Sequence, residues 1–398
     1  MQLLNTSDVQ KRIQYGLGSL LLGVLLIVST AQATTWRVER DGSGDYLTLQ
    51  PAADAAAPGD TLLIGPGRYV ESSIFPFDNE FGEGETYLGV RVDSLTLIGC
   101  HRDSVIIGPD VPDFQGFLPK GIAARFGYVT RLKIENLTVQ NVREGIRTQG
   151  VTEIRNYHAI GCDIGVLGLL GLLRVFDSQF TGSRRAGVDV GISTGALVED
   201  VVFNDYFLAN SIQVIESTNA VFRRCQISGG ARIHFSQGST GTVDSCVVRD
   251  AAGAGITAIG SSTIELLNSR FIGTANSLNC LSGSTITGSG NYFGATDPRT
   301  MQITDHSIVD LQNCDIALSP IGYTIWLDNF DTSSVFVNLQ NNYWGTTDLD
   351  SIASEIWDGN DDPNIKTTVL FEPIRDSTTP VRAMSFGELR SLFGAGKQ

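Results

Sequence analysis

Three short segments of the chain read Cys225-Gln-Ile-Ser-Gly229, Cys246-Val-Val-Arg-Asp250 and Ser269-Arg-Phe-Ile-Gly273. Each starts with a small residue, has an apolar residue two positions later and a turn former four positions later. Four upstream segments share the apolar and turn positions, and they begin at Leu137, Tyr157, Ser178 and Val201. The first residues of the seven segments are 20 to 24 residues apart. Apolar residues that alternate between Gly, Asn and Asp at a fixed period predict short strands joined by turns. Helical periodicity is missing from this stretch.

One such repeat cannot bury its own apolar face, but coils stacked about 4.8 Å apart pair every strand with the coil above and below. The pattern therefore predicts a parallel β-helix of about ten to twelve coils, given a period of roughly 22 residues. Small residues form one inward column: Ser178, Cys225, Cys246, Ser269 and Cys314. Cys225 and Cys246 share a register on adjacent coils, where neighbouring strands would strain a disulfide. We therefore expect a ladder of free thiols, with a disulfide as the alternative.

The first residues have the features of a targeting signal. Lys11 and Arg12 precede an apolar run over residues 17–28, and Ala31-Gln-Ala33 follows. A basic start, a short apolar core and a small-x-small ending predict a secretory signal peptide, residues 1–33. The alternative is an uncleaved anchor. We expect export to the extracellular space, the cell surface or the periplasm, and no membrane span in the mature chain.

The charge of the chain restricts its partners. Its 398 residues include 28 Lys and Arg against 43 Asp and Glu, for a net charge of −15. Nucleic acids and anionic membranes bind clustered basic residues, so this balance argues against both. It also disfavours an acidic polysaccharide and favours a neutral or basic glycan.

Two further segments are similar to a known fold family. The stretch from Asp41-Gly-Ser-Gly-Asp-Tyr46 to Gly59-Asp-Thr-Leu-Leu-Ile-Gly-Pro-Gly-Arg-Tyr69 resembles the N-terminal entry of right-handed parallel β-helix proteins of the pectin lyase-like class. This resemblance implies a cap helix around residues 49–57 and a first strand over residues 61–64. Asn291-Tyr-Phe-Gly-Ala-Thr-Asp297 and Asn342-Tyr-Trp-Gly-Thr-Thr-Asp348 resemble the closing segment of exported NosD-like β-helix proteins.

We therefore predict an all-β protein, a right-handed parallel β-helix solenoid over residues 34–374 with an N-terminal cap helix. Residues 375–398 are predicted to form a linker and a short C-terminal helix. Ser385-Phe-Gly-Glu388 matches a capping box, and the helix should continue through Phe393.

The resemblance makes polysaccharide lyases and glycoside hydrolases plausible, but it does not supply their residues. The paired-carboxylate motifs of family hydrolases have no counterpart on the coils. The best lyase candidate combines Asp177 and Asp200, on adjacent coils, with Arg184 or Arg185. We predict an exported, non-catalytic β-helix that binds polysaccharide or a cell-surface partner. The alternatives are a lyase or hydrolase of this fold, and a purely structural surface protein.

Ligand binding in a solenoid is expected where loops depart from the repeat. Two stretches depart from the repeat and look like insertions in early, neighbouring coils, Ser72–Gly89 and Pro109–Tyr128. Their aromatic rings suit sugar faces and their carboxylates suit sugar hydroxyls. The predicted binding residues are Phe75, Phe77, Tyr87, Phe114, Phe117, Asp78 and Glu80. The alternative is that these aromatics are buried over the N-terminal core.

The sequence predicts no cofactor, with one qualification for calcium. An acidic run near the end of the solenoid offers several oxygen ligands for weak calcium binding: Asp358, Asn360, Asp361 and Asp362. A solvated acidic turn is the alternative. The histidines do not pair with other histidines or cysteines at metal-ligand spacing.

Overall fold

A computed structural model describes residues 32–78, 82–111, 118–125, 127, 129–204, 210–229, 232–295, 299–304, 306–328 and 336–378. The chain winds through about twelve coils, and each full coil contributes one strand to each of three parallel sheets. The predicted parallel β-helix is therefore confirmed, and the solenoid has three faces.

Sheet 1 carries the first strand of each coil. Its strands are Thr35–Val38, Thr61–Ile64, Leu95–Gly99, the start of Arg131–Gln140, the middle of Glu144–Ile160, the end of Ile164–Phe176, Gly195–Glu199, Ala220–Arg223, Thr240–Asp244, Thr263–Leu267, Thr285–Ser289, Ile308–Gln312 and Phe336–Asn338. Sheet 2 follows after a tight corner. Its strands are Gly67–Tyr69, Val105–Ile107, the ends of Arg131–Gln140 and Glu144–Ile160, Gln179–Thr181, Val202–Asn204, Gln226–Ser228, Val247–Arg249, Arg270–Thr274, Tyr292–Ala295 and Asp315–Ile316.

Sheet 3 completes each coil and begins with a hairpin. Ser73–Asp78 pairs antiparallel with Gly82–Val90, which is the first parallel strand of the sheet. The others are Lys120–Ala124, the starts of Glu144–Ile160 and Ile164–Phe176, Ala186–Gly191, Asn210–Ile215, Arg232–Ser236, Ala254–Ala258, Asn276–Cys280, Arg299–Thr304, Tyr323–Asp328 and Ile356–Trp357.

The cap at the N-terminal end matches the prediction. Helix α1, Leu49–Ala55, buries Leu49 and Ala52 against the first coils. A strand forms at Thr61–Ile64 as predicted, but it pairs with the preceding strand Thr35–Val38, so it is the second strand of sheet 1 and not the first. Asp60 joins these parts, because its carboxylate accepts hydrogen bonds from the backbone of Thr34 at 2.7 Å and from the indole of Trp36 at 3.0 Å.

The corner between sheets 1 and 2 repeats one backbone conformation. Ten successive corner residues have positive φ: Asn136, Asn156, Asp177, Asp200, Arg224, Ser245, Asn268, Gly290, Asn313 and Asn341. Asn, Asp and Gly tolerate this left-handed region at low cost. Arg224 and Ser245 are the exceptions, and the guanidinium of Arg224 bonds Glu199 and Asp200. The turn formers of the repeat lie at the next corner, after sheet 2, where positive φ recurs at Asn141, Gly161, Gly182, Gly229, Asp250 and Gly273.

The residue after each corner is buried, and on several coils it is polar and forms a link of a ladder. The Oγ of Ser269 accepts the backbone N–H of Cys246 at 3.1 Å, and the Oδ1 of Asn291 accepts that of Ser269 at 2.9 Å. Asn342 accepts the N–H of Cys314 in the same way, at 2.7 Å. Each link joins one coil to the next inside the core. All six cysteines are free thiols, including Cys225 and Cys246, for which free thiols were expected.

Aromatic stacks fill the core beside this ladder. Phe180 and Phe203 stack with ring centroids 5.0 Å apart, and Phe271 and Phe293 stack at 5.6 Å. All four rings are buried. Successive coils therefore repeat their packing as well as their hydrogen bonds.

The closing segment ends the solenoid at its C-terminal side. Helix α2, Leu349–Ser354, precedes the last strand of sheet 3, and Trp344 is fully buried against Phe371. The predicted signal peptide, apart from its last two residues, and the predicted helix Ser385–Phe393 lie outside the described residues. Within the described residues, no helix is long and apolar enough to cross a membrane.

Candidate functional site

The outward side of sheet 3 carries one side chain per coil in strict register. We call this row the sheet 3 column: Arg147, Leu167, Asp189, Gln213, His234, Thr257, Asn279, Gln302, Trp326 and Trp357. Each member is paired with the next through neighbouring parallel strands, so successive side chains lie about 4.8 Å apart. The last seven members are uncharged amides, a hydroxyl, an imidazole and two indoles.

The outward side of sheet 1 is chemically different. Arg223 lies 3.8 Å from Glu199 and 3.5 Å from Asp244, on the coils to either side. Along single strands, Lys133 pairs with Glu135 at 2.9 Å. Such half-exposed ion pairs contribute about 0.2–1 kcal/mol each and suit a solvated face. The ion pairs account for the outward side of sheet 1 as a solvated surface. They do not account for the largely uncharged side chains of the sheet 3 column.

Ionisable groups gather where the sheet 3 column begins. Glu144 is buried, 3.4 Å from Arg147, and Lys120 lies on the preceding strand. Burial lowers the pKa of Lys120, against the opposite effect of Glu144. Burial also raises the pKa of Asp189 to about 6, with Arg185 opposing and Glu144 adding to the shift. A carboxyl group that is partly protonated near neutral pH can donate a proton as well as accept one.

The middle of the column is uncharged at neutral pH. Burial, together with the nearby Arg232, lowers the pKa of His234 to about 4, so its imidazole is neutral. Arg232 itself donates a hydrogen bond to the Oδ1 of Asn210 at 2.7 Å. Thr257 follows His234 in register and is 4% exposed although it points away from the core.

The column ends in a group of aromatic rings. Trp326 and Trp357 stack with ring centroids 5.3 Å apart and planes 9° apart, and Tyr323 leans on both. The guanidinium of Arg299 lies 4.2 Å from the centre of the Trp326 ring. All three rings are half-buried, so part of each remains open to solvent.

The hairpin places the predicted residues of the first insertion differently from expectation. Phe75 is fully buried against Ala123, and a side chain at Gly89 would overlap its ring. Tyr87 is also buried. Small residues at these two positions of sheet 3 leave the space that Phe75 fills. In this arrangement neither ring is open to a sugar.

The other predicted binding residues remain predictions. Phe77 and Asp78 end the first strand of the hairpin, but their side chains lie outside the described residues. Glu80, Phe114 and Phe117 also lie outside the described part of the chain.

The predicted calcium ligands are placed close together in the closing segment, but their carboxylates already have partners. Asp358 is buried and accepts the backbone N–H groups of Asn360 and Val369, both at 2.8 Å. Asp361 accepts the N–H of Asp358 at 3.2 Å, and Asp362 accepts that of Asn364 at 2.9 Å. Among the described residues, no group of three or more His, Cys, Asp or Glu side chains is arranged to hold a metal ion.

The structure separates the residues of the lyase candidate. Asp177 and Asp200 are corner residues between sheets 1 and 2, and Asp200 accepts hydrogen bonds from Arg224. Arg184 lies beyond sheet 2 and pairs with Asp163 at 2.6 Å. The four residues therefore do not form one site, because two different corners of the coil carry them.

Sequence reasoning missed the sheet 3 column. Its members are about 22 residues apart, and they align only when the register of every coil is known. One signal is present in the sequence: Arg232-Ile-His234 alternates polar and apolar residues, which places the imidazole on the outward side of a strand.

Comparisons with known proteins agree on the fold. Residues 121–316 match the family model described as right handed beta helix region, which confirms the predicted handedness. No curated protein matches the chain.

Solved structures that are similar to this chain are distant in sequence. A mannuronic acid specific polysaccharide family 6 lyase from human gut microbiota is 12% identical with a TM-score of 0.42, and the match covers 91% of this chain and 94% of that one. The A-module of the Azotobacter vinelandii mannuronan C-5 epimerase AlgE6 is 15% identical with a TM-score of 0.38, covering 74% and 88%. The catalytic unit of a Streptomyces thermodiastaticus GH87 alpha-1,3-glucanase is 12% identical with a TM-score of 0.36, covering 77% and 68%.

Proposed function

We propose that the protein binds a neutral polysaccharide along the sheet 3 column. The observation that carries this proposal is the run of seven uncharged polar or aromatic side chains on consecutive coils, from Gln213 to Trp357. Six steps of about 4.8 Å give this run a length of about 29 Å. A row of this length suits an extended chain of sugars better than a single small molecule.

The chemistry of the run supports a neutral ligand. Amide, hydroxyl and imidazole groups exchange hydrogen bonds with sugar hydroxyls, and indole rings pack against the apolar faces of sugar rings. None of the seven side chains supplies a full positive charge for a carboxylate, since His234 is neutral at neutral pH. We also propose export, which the basic start and apolar run of residues 1–33 support.

Affinity electrophoresis tests the binding proposal. Dextran, laminarin, mannan and the charged polymer polygalacturonate are cast into native gels, and the retardation of the protein is measured. We expect at least one neutral polymer to retard the wild type more than polygalacturonate does. Trp357→Ala should weaken that binding about two- to tenfold, because an aromatic contact contributes about 0.5–1.5 kcal/mol.

Matched variants separate binding from folding. Phe336→Ala removes a 48%-exposed ring on sheet 1 near the same end of the solenoid, and it should leave retardation unchanged. Gln302→Ala makes a smaller change within the column, so the test still works if Trp357→Ala lowers stability. Equal loss of binding in the Phe336 variant, or no retardation of the wild type by any neutral polymer, would contradict the proposal.

One observation favours a second candidate function, hydrolysis of the bound glycan. Glu144 and Asp189 are both more than nine-tenths buried and lie two coils apart on sheet 3, with Asp189 three residues beyond Ala186, the register partner of Glu144. The charge of Glu144 adds to the rise in the pKa of Asp189, so the two carboxyl groups interact. Inverting glycosidases use a protonated acid and a carboxylate base as their catalytic pair. Asp189, whose pKa burial raises to about 6, would be the acid, and Glu144 would be the base.

Product analysis decides between binding alone and hydrolysis. Incubation with the neutral polymers should release reducing ends if the pair is catalytic, and Asp189→Asn should abolish the release. Asp310→Asn, on the outward side of sheet 1, is the control. Binding without any release of reducing ends by the wild type would leave the face as a binding surface only.

A further inference from the structure

The middle of sheet 3 contains a notch formed by one coil with small side chains. The strand Ala254–Ala258 presents Ala254 and Thr257 on its outward side, and both are more than nine-tenths buried. Longer side chains stand on the neighbouring strands, His234 on one side and Asn279 on the other, each in register with Thr257. The sheet 3 column therefore has its shortest side chain at this coil.

Two buried polar atoms at this notch lack hydrogen bonds. Among the described residues, neither the Oγ1 of Thr257 nor the Nδ1 of His234 has a partner. A buried polar group without a hydrogen bond costs about 1–3 kcal/mol, so such groups normally have a partner. By contrast, the amides of Asn276 and Asn279, on the next strand, hydrogen-bond to each other at 3.0 Å.

The two atoms set the chemistry of the group that would fit. A threonine hydroxyl both donates and accepts hydrogen bonds, and a neutral imidazole has one donor and one acceptor nitrogen. A carboxylate can only accept, so it would satisfy the Nδ1 of His234 only when that nitrogen carries the imidazole proton. A sugar hydroxyl donates and accepts, so it can pair with the Oγ1 of Thr257 and with the Nδ1 of His234 in either tautomer.

We propose that this notch is a specificity subsite that binds one hydroxyl group of a neutral glycan between His234 and Thr257. This inference rests on the proposed function and adds to it the group that is recognised. It explains why a neutral sugar would be preferred to a uronate at this coil. It also assigns His234 a role as a neutral hydrogen-bonding group instead of a cation.

The test replaces the hydroxyl of Thr257 by a methyl group of the same shape. Thr257→Val should weaken binding to the retarding neutral polymer, whichever of dextran, laminarin or mannan it is, about tenfold. The variant should keep or slightly raise the melting temperature, because it removes an unsatisfied hydroxyl. Thr287→Val makes the same change on the outward side of sheet 1 and should alter neither quantity. Unchanged polymer affinity in Thr257→Val would overturn the subsite and leave the proposed function standing.

A second measurement keeps the subsite testable if no polymer binds. The imidazole of His234 is followed by nuclear magnetic resonance while methyl α-glucoside and methyl α-mannoside are added to the wild type and to Thr257→Val. A ring shift in the wild type that is lost in the variant would support the subsite even though the extended face had failed. No shift with either glycoside, together with no polymer binding, would overturn both proposals.

Discussion

Replacing Asn291 by alanine should destabilise the solenoid from inside. The side chain is fully buried, and its Oδ1 accepts the backbone N–H of Ser269 at 2.9 Å. Its Nδ2 donates to the carbonyl oxygen of Leu266 at 2.8 Å. Alanine would leave both hydrogen bonds unmade between adjacent coils. Each unsatisfied buried group costs about 1–3 kcal/mol, so we expect a loss of about 2–5 kcal/mol in the free energy of unfolding.

The ladder also predicts a partial rescue. Ser178 and Ser269 occupy the same column and accept backbone N–H groups through their hydroxyls, at 3.2 Å and 3.1 Å. Asn291→Ser should therefore keep the bond from Ser269 and lose only the donor to Leu266. Its cost should be about 1–3 kcal/mol, clearly below that of alanine.

Urea unfolding followed by circular dichroism measures these free energies, and hydrogen exchange at the Ser269 amide gives a local readout. That amide should exchange faster in Asn291→Ala than in the wild type, and Asn291→Ser should restore much of its protection. Asn364→Ala removes an exposed amide and should change stability by less than about 0.5 kcal/mol. If alanine at position 291 costs no more than alanine at 364, the ladder does not stabilise the fold as argued.

Two further predictions concern pH and thiols. Burial acts to raise the pKa of Asp60, but hydrogen bonds from the backbone of Ala57 and Thr34 and from Trp36 outweigh it and hold the pKa below 3.8. Asp60 therefore stabilises the cap fully above about pH 4 and progressively less as the pH falls below that value. The difference in melting temperature between the wild type and Asp60→Asn should become smaller from pH 7 to pH 3. A difference that stays constant over this range would contradict the role of the ionised Asp60 carboxylate. In native protein a thiol reagent should label Cys100, the exposed cysteine, and the five buried thiols should react only after unfolding; a fall in stability on adding reductant would instead indicate a disulfide.

The repeat could be predicted from the sequence because the residue types at the corners and in the core recur with the same period. Gly, Asn and Asp mark the left-handed corners, and alternating apolar residues mark the inward side of each strand. The ladder was only partly recognised, since the column was defined by small size. Asn291 lies midway between Ser269 and Cys314 and belongs to the column through its hydrogen bonds, which the size criterion overlooked.

The candidate site was harder to predict for a physical reason. Long insertions attract attention because they break the repeat, yet Phe75 in the first insertion is buried over Gly89 and Ala123. A surface row such as His234 and Thr257 consists of residues that keep the repeat. Single residues spaced a coil apart gain meaning only when neighbouring strands bring them together.

The left-handed corners separate the length of the chain from the length of the molecule. From Asn136 to Asn313, successive corners are 20 to 24 residues apart, yet each coil advances the solenoid by the same strand spacing of about 4.8 Å. Extra residues within a coil therefore widen its cross-section and add nothing along the axis. Only the gain or loss of a whole coil changes the length of the sheet 3 column along the solenoid axis. That length therefore changes in steps of one strand spacing.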